Sequence, residues 1–309
     1  MTIATTLLVV PASALALTSS TVRGDGSQPS PATALPVQVS PKHVDFGDPV
    51  KVTGVAPAIA PGGRVVLQAQ YSRSHVWKRM ATTVVSPRGR FSFRAHPRHS
   101  GRLRAISAPG RPVAIAARPQ VGARRVTPVE VAATLHTNSR NRNVLAGYAF
   151  QVDGKLLPGR AGRAVALQGH SRSGWATLAR ARTGARGGFA VRYAPGASGI
   201  ARHLRVVFRG DRANARSTGP AGAMTVYTQS VASWYQDGGS TACGFHAGLG
   251  VANRSLPCGT KVRFRYAGRT ATATVDDRGP FVGGREWDLN QNTAAALGFA
   301  GVGTVWSSS

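Results

Sequence analysis

Apolar and polar residues alternate in short runs along most of this chain. Val65, Leu67 and Ala69 alternate with Arg64, Gln68 and Gln70, and Phe91 and Phe93 with Ser92 and Arg94. A period of two is that of a strand with one buried face. Thr270 to Val275 forms a β-branched run of the same kind. Gly, Pro and Ser clusters separate the runs, as turns between strands do. One stretch reads as a helix: Ala294, Ala295, Ala296 and Leu297, with Asn290 or Thr293 as the N-cap and Gly298 as the stop. The pattern predicts an all-β protein.

The runs also repeat. Gly63–Gln68 resembles Gly162–Gln168, Trp77 corresponds to Trp175, Arg88–Arg94 to Arg186–Arg192, and Ser100–Arg104 to Ser198–Arg205. The period, about 100 residues, is the size of one small β-sandwich. Two tandem modules are expected, over 36–128 and 129–229, and they resemble the immunoglobulin-like (Ig-like) modules of bacterial surface proteins. Ser217 to Gly222 reads as a short linker, after which a last module occupies 230–309. At the other end, residues 1–16 are apolar and finish in small-x-small triplets, the pattern of a secretory signal peptide. That run is short and interrupted by Pro11, so no transmembrane segment is expected. Residues 17–35, rich in Ser, Thr, Pro and Gly, read as a flexible linker.

Composition sharpens this picture. The 309 residues include 39 Lys and Arg against 11 Asp and Glu, a formal charge of +28. From residue 230 onward the balance is only about +2, so about +26 lies upstream. Such a charge attracts polyanions over a distance set by salt. Anionic cell-wall polymers fit an exported chain. Nucleic acid does not, because no recognition motif accompanies the charge. The bland reading is a solvated arginine-rich face. Trp77 and Trp175 are either sugar-stacking platforms or residues of the core and hairpins. His96 and His99 lack a third ligand, and the two cysteines are not spaced as C-x-x-C, so neither a metal nor any other cofactor is expected.

The chemistry concentrates at the C-terminal end. Asp276, Asp277, Glu286 and Asp288 all fall between residues 273 and 288. The segment carries Val231–Tyr235, Thr241–Gly244, Leu256–Phe264, the strand 269–275 leading into Asp277-Arg-Gly-Pro-Phe281, then Arg285–Leu289 and Gly301–Trp306. This ordered set resembles the double-psi β-barrel of the rare-lipoprotein-A-like family and, more distantly, the first domain of expansins. The resemblance covers about residues 230–309. It implies a six-stranded barrel, secretion to the cell wall, and peptidoglycan glycan strands as the partner. Some members of the family are lytic transglycosylases. Cys243 and Cys258 lie in this one small module of an exported chain and are expected to pair.

A lytic transglycosylase needs one carboxylic acid. It protonates the glycosidic oxygen, then as a carboxylate takes the proton of the sugar's own C6 hydroxyl, which closes an anhydro ring. Asp277 matches the family's aspartate before Arg-Gly-Pro and is the expected catalytic residue. Trp234, Tyr235, His246, Asn253, Arg278 and Asp288 are the candidate substrate-binding residues. Trp287 serves either as a stacking platform or in the core. Two positions depart from the enzymatic pattern: Phe245 replaces a glutamate and Asn253 a histidine. Asn can hydrogen-bond a sugar but cannot exchange a proton near neutral pH. Two readings follow: a secreted, monomeric lytic transglycosylase acting through Asp277, and a non-catalytic, expansin-like module that binds or loosens wall polysaccharide.

Overall fold

The structure, a computed structural model, describes residues 34–309 except 57, 73, 109–123 and 200. The expected signal peptide lies outside these residues, as does the expected linker up to residue 33. Ala34–Leu35 is already a strand, paired with Gly101–Ser107, so β structure begins inside the span read as linker.

The described chain is almost entirely β, with three clusters of buried residues. The first lies between two sheets. One sheet joins His43–Asp45, Thr127–Ala132, Gly101–Ser107, Arg64–Tyr71 and Lys78–Val84, and the other joins Val37–Ser40, Val50–Val55 and Arg90–Ala95. Val65, Leu67, Ala69, Phe91 and Phe93 all point into this core, as their alternation predicts. A second pair of sheets encloses Val152, Leu156, Val165, Leu167, Phe189 and Val206. The sequence repeat is a repeat in space. Both units bulge at the same place, between Leu67 and Gln68 and between Leu167 and Gln168. In both, a glycine (Gly54, Gly154) lies under a phenylalanine ring (Phe91, Phe189) that would meet a Cβ at 2.3 Å.

Polar contacts bind the two units together. Asn214, 1% exposed, donates to the carbonyls of Arg98 and Val131 and accepts from Arg163. Arg163, also buried, ion-pairs with Asp211 at 3.0 Å.

The reading of Ser217 to Gly222 as a linker is overturned. These residues open one strand, Ser217–Tyr235 (β1), that runs from the second unit into the third. Its first half pairs with Ala201–Phe208 and Arg142–Leu145, and its second half belongs to the C-terminal barrel. Pairing with Ala201–Phe208 holds the turn-like sequence extended, which is tertiary context overriding local propensity.

The barrel continues through Gly250–Ala252 (β2), Lys261–Tyr266 (β3), Arg269–Asp277 (β4), Trp287–Asn290 (β5), the helix Gln291–Leu297 (α1) and Gly303–Ser308 (β6). The pairing order β1–β5–β2–β4–β3–β6 closes because β6 also pairs with β1, so no strand edge is left open. β1 with β5 and β2 with β4 are parallel; the other pairs are antiparallel. Val262, Phe264, Ala273, Val275, Trp287, Leu289 and Leu297 fill the interior. Trp287 is thus a core residue: its ring packs edge-on against Phe264 and its indole N–H donates to Ser230 Oγ. Asn290 caps α1 by accepting from the Thr293 N–H at 2.9 Å, and Gly298 ends it at φ 64°. No helix among the described residues is long and apolar enough to cross a membrane.

Limited proteolysis of the native protein should leave residues 217–230 uncut, because β1 is hydrogen-bonded along that span. Rapid cleavage between Ser217 and Gly222, mapped by mass spectrometry, would show a linker after all.

Candidate active site

The two adjacent aspartates at the end of β4 serve different donors. Asp276 has no exposed surface. Its Oδ2 accepts the Ala247 N–H at 2.8 Å and its Oδ1 the Val251 N–H at 3.1 Å. Burial raises its proton affinity, and these backbone donors oppose that shift. Gly250 lies so close that a Cβ there would stand 2.2 Å from the carboxylate, so the position admits no side chain. Asp277 Oδ1 accepts from the N–H groups of Ala242 and Arg278, each at 2.8 Å, while its Oδ2 makes no hydrogen bond to any of the described residues. The two carboxylates therefore pin the loop between β1 and β2 at two points, Ala242 near its middle and Ala247 near its end.

The Cys243–Cys258 disulfide ties the same loop to the turn before β3 across a separation of 15 residues. A loop of that size stabilises the fold by about 3 kcal/mol on entropic grounds.

Strand register assembles the rest. Ser233 on β1 pairs with Asp288 on β5, Asp288 with Ala252 on β2, and Ala252 with Asp277 on β4. Asp277 and Asp288 thus stand two strands apart, about 10 Å between backbones. Asp288 lies between the core residues Trp287 and Leu289, so it faces away from the interior, as side chains alternate along a strand.

Seven buried side-chain polar atoms among the described residues lack a hydrogen-bond partner, and three belong here: Ser233 Oγ, Tyr235 OH and Asp288 Oδ1. Burial raises the proton affinity of Asp288, and the charge of Asp277 adds to this; Arg285 and the nearby Ser233 work against it. Ser233 approaches Asp288 without making a hydrogen bond of normal geometry. Burial also pushes the Tyr235 hydroxyl well up, helped by the carboxylates of Asp276, Asp277, Asp237 and Asp288. It remains a donor at any physiological pH.

The other expected residues divide into frame and rim. Asn253 is buried; its Oδ1 accepts the N–H groups of Ser255 and Leu256, and its Nδ2 donates to the Glu286 carbonyl. Arg278 donates to the carbonyls of Asn253 and Leu256. Arg254 reaches the opposite way, to the carbonyls of Pro280 and Arg285. The two arginines hold the 253–258 and 278–286 loops against each other by binding carbonyls rather than acids.

On the rim, His246 Nδ1 lies 3.0 Å from Asp237 Oδ1. Trp234 is 45% exposed, Phe245 40% and Phe281 82%. The sequence reading missed Ser233, Asp237 and Phe281. An aromatic directly after the Arg-Gly-Pro turn was a usable signal for Phe281; Ser233 enters only through its pairing with β5. Among the described residues no three His, Cys, Asp or Glu side chains gather as a metal site. His96 instead bonds the Gly47 carbonyl, and His99 packs edge-on against Tyr71.

Residues 227–306 match the double-psi β-barrel family described as lytic transglycolase. Two curated relatives, from Synechocystis sp. and Nostoc sp., are each named "Probable endolytic peptidoglycan transglycosylase RlpA". The C-terminal domain is an RlpA-like double-psi β-barrel. The Synechocystis protein is 41% identical over 85 residues, 24% of this chain and 26% of its own length. The Nostoc protein is 44% identical over 57 residues, 18% of this chain and 15% of its own. The chain therefore spans about a quarter or less of these relatives, and the RlpA likeness is one of the barrel domain. A chain from a solved structure on T cell specificity and activation by the bacterial superantigen toxic shock syndrome toxin-1 aligns with 31% of this chain and 99% of that one. Its identity of 9% and TM-score of 0.26 support no inference.

The raised proton affinity of Asp288 has a measurable consequence in the barrel domain. Its contribution to stability is fully present below the ordinary carboxylate range and is lost as pH rises through the raised value. Asp288→Asn fixes the neutral form. Its melting temperature relative to wild type should therefore climb between pH 4 and pH 7.5. A difference that stays flat over that range would show that Asp288 titrates as an ordinary surface acid.

Proposed function

We propose that the barrel cleaves peptidoglycan glycan strands as a lytic transglycosylase, with Asp277 acting as acid and then as base. The observation that carries this reading is the cluster of three buried polar groups, Ser233, Tyr235 and Asp288, unpartnered among the described residues, beside a carboxylate with one oxygen that none of these residues engages. Buried polar groups without partners are uncommon in folded proteins, and gathered in one place they suit a polar ligand such as a sugar. The names of the curated relatives point to the same substrate.

In this mechanism Asp277 donates its proton to the glycosidic oxygen as the C1–O bond breaks. The resulting carboxylate then takes the proton of the C6 hydroxyl, whose oxygen bonds to C1. No water is consumed, so no second carboxylate is required to activate one. Asp288 and the Tyr235 hydroxyl hydrogen-bond the sugar, and Trp234, Phe245 and Phe281 offer stacking faces along the rim. The two upstream units, which we read as Ig-like modules, hold the barrel at an anionic envelope outside the cell. The disulfide suits that compartment.

A second reading rests on Phe245 and Asn253. With a phenylalanine in place of the glutamate, and an asparagine engaged in its own turn in place of the histidine, the same site binds wall polysaccharide without cutting it.

Purified peptidoglycan separates the two. Wild-type protein should release anhydro-muropeptides detectable by mass spectrometry, and Asp277→Asn should release at least about 100-fold less while still sedimenting with sacculi. Binding of wild type without any anhydro product would leave only the non-catalytic reading.

A further inference from the structure

Both upstream units carry the same three-residue arrangement on a sheet surface. Arg104 stacks 4.1 Å from the centre of the Trp77 ring, and its Nε donates to Gln68 Oε1 at 2.8 Å. Arg205 stacks 3.9 Å from the centre of the Trp175 ring, and its Nε donates to Gln168 Oε1 at 2.9 Å. The strand neighbours Leu103 and Leu204 are core residues, so the arginines point outward.

Much else differs between the copies. Arg79, which pairs with Gln68, corresponds to Thr177, which pairs with Gln168. The triplet persists although it lies outside either core. Stacking uses one face of each indole, which argues against the sugar-platform reading of these tryptophans.

What the triplet fixes is a guanidinium. Its plane is set by the indole and its Nε by the glutamine, which leaves the Nη1 and Nη2 edge directed away from both. That edge matches two oxygens of a phosphate or carboxylate. Neither arginine is ion-paired with an acidic residue among the described residues, whose ion pairs involve His43, Arg160, Arg163 and His246. Further positive charge lies close by: Arg79 stands across Gln68 from Arg104, and Arg216 lies near Arg205.

We propose that Arg104 and Arg205, each held between a tryptophan and a glutamine, are paired receptors for the repeating anionic groups of a glycopolymer, one phosphodiester or carboxylate per guanidinium. This rests on the reading of the upstream units as envelope anchors and specifies what they grip. Two sites on one chain bind a polymer with avidity, because occupation of the first raises the effective concentration at the second.

The test uses the full chain and three immobilised polymers: polyglycerol phosphate, polygalacturonate and neutral dextran. The double variant Arg104→Lys, Arg205→Lys keeps the net charge of +28 but loses the fork and the stack. Each single variant should weaken binding to the preferred polyanion about 10-fold, and the double at least about 100-fold, with an unchanged melting temperature. Preference for the phosphate or the carboxylate polymer identifies the source of the anion. If the lysine variant does not fold, Gln68→Met with Gln168→Met releases the Nε while retaining both arginines, and should also weaken binding.

Wild-type binding that survives these substitutions would overturn the receptors and leave the anchor as diffuse charge. Wild-type binding to neither polyanion at low salt would overturn the anchor reading itself.

Discussion

The barrel's candidate site depends on one buried carboxylate. Asp276 has no exposed surface and forms no ion pair among the described residues, yet its oxygens are satisfied by the backbone N–H groups of Ala247 and Val251. A buried acid in that setting has to be hydrogen-bonded or neutral, and losing its donors costs more than the bonds are worth on balance. The loop that supplies the donors is therefore bound to the end of β4. Gly250 makes room for the approach, and the disulfide holds the far side. With the loop in place, Ala242 meets Asp277, and the neighbouring aspartate is fixed through one oxygen. Adjacent residues of one strand thus divide the work: the first secures the loop near Ala247 and the second meets it at Ala242 through one oxygen.

Barrel closure supplies the rest of the geometry. Because β1 pairs with β5, β5 with β2 and β2 with β4, Ser233, Asp288 and Asp277 fall into one row without any contact among themselves being required. β1 is also part of a sheet of the preceding unit, so a pull on the upstream units is carried along one continuous strand to Ser233 and Tyr235. The second unit and the barrel share a strand, a more rigid coupling than a tether would give.

Much of this was legible in the chain. Alternation located the core residues of the first sandwich, because a one-residue slip would turn Val65, Leu67 and Phe91 outward. The repeat was legible because both copies keep the Gln, Trp and Arg that meet in space. The β4 strand and its Asp-Arg-Gly-Pro turn carried the barrel. Ser217 to Gly222 misled, since Ser, Thr, Pro and Gly are turn formers and only pairing with the preceding strand, Ala201–Phe208, keeps them extended. The roles of Asp276 and Asn253 were hidden for a related reason. A carboxylate bound to amides 25 and 29 residues away, or an asparagine accepting from its own turn, leaves no local signature. The row from Ser233 to Asp277 was hidden as well, because register between distant strands decides it.

Amide hydrogen exchange tests the central claim most directly, since it reads the loop-to-carboxylate bonds one donor at a time. If Asp276 holds the loop, the amides of Ala247 and Val251 should exchange only when the barrel opens, with protection close to that of Val262 and Phe264 in its core. Exchange of the Ala247 and Val251 amides at open-loop rates, while the core stays protected, would contradict it.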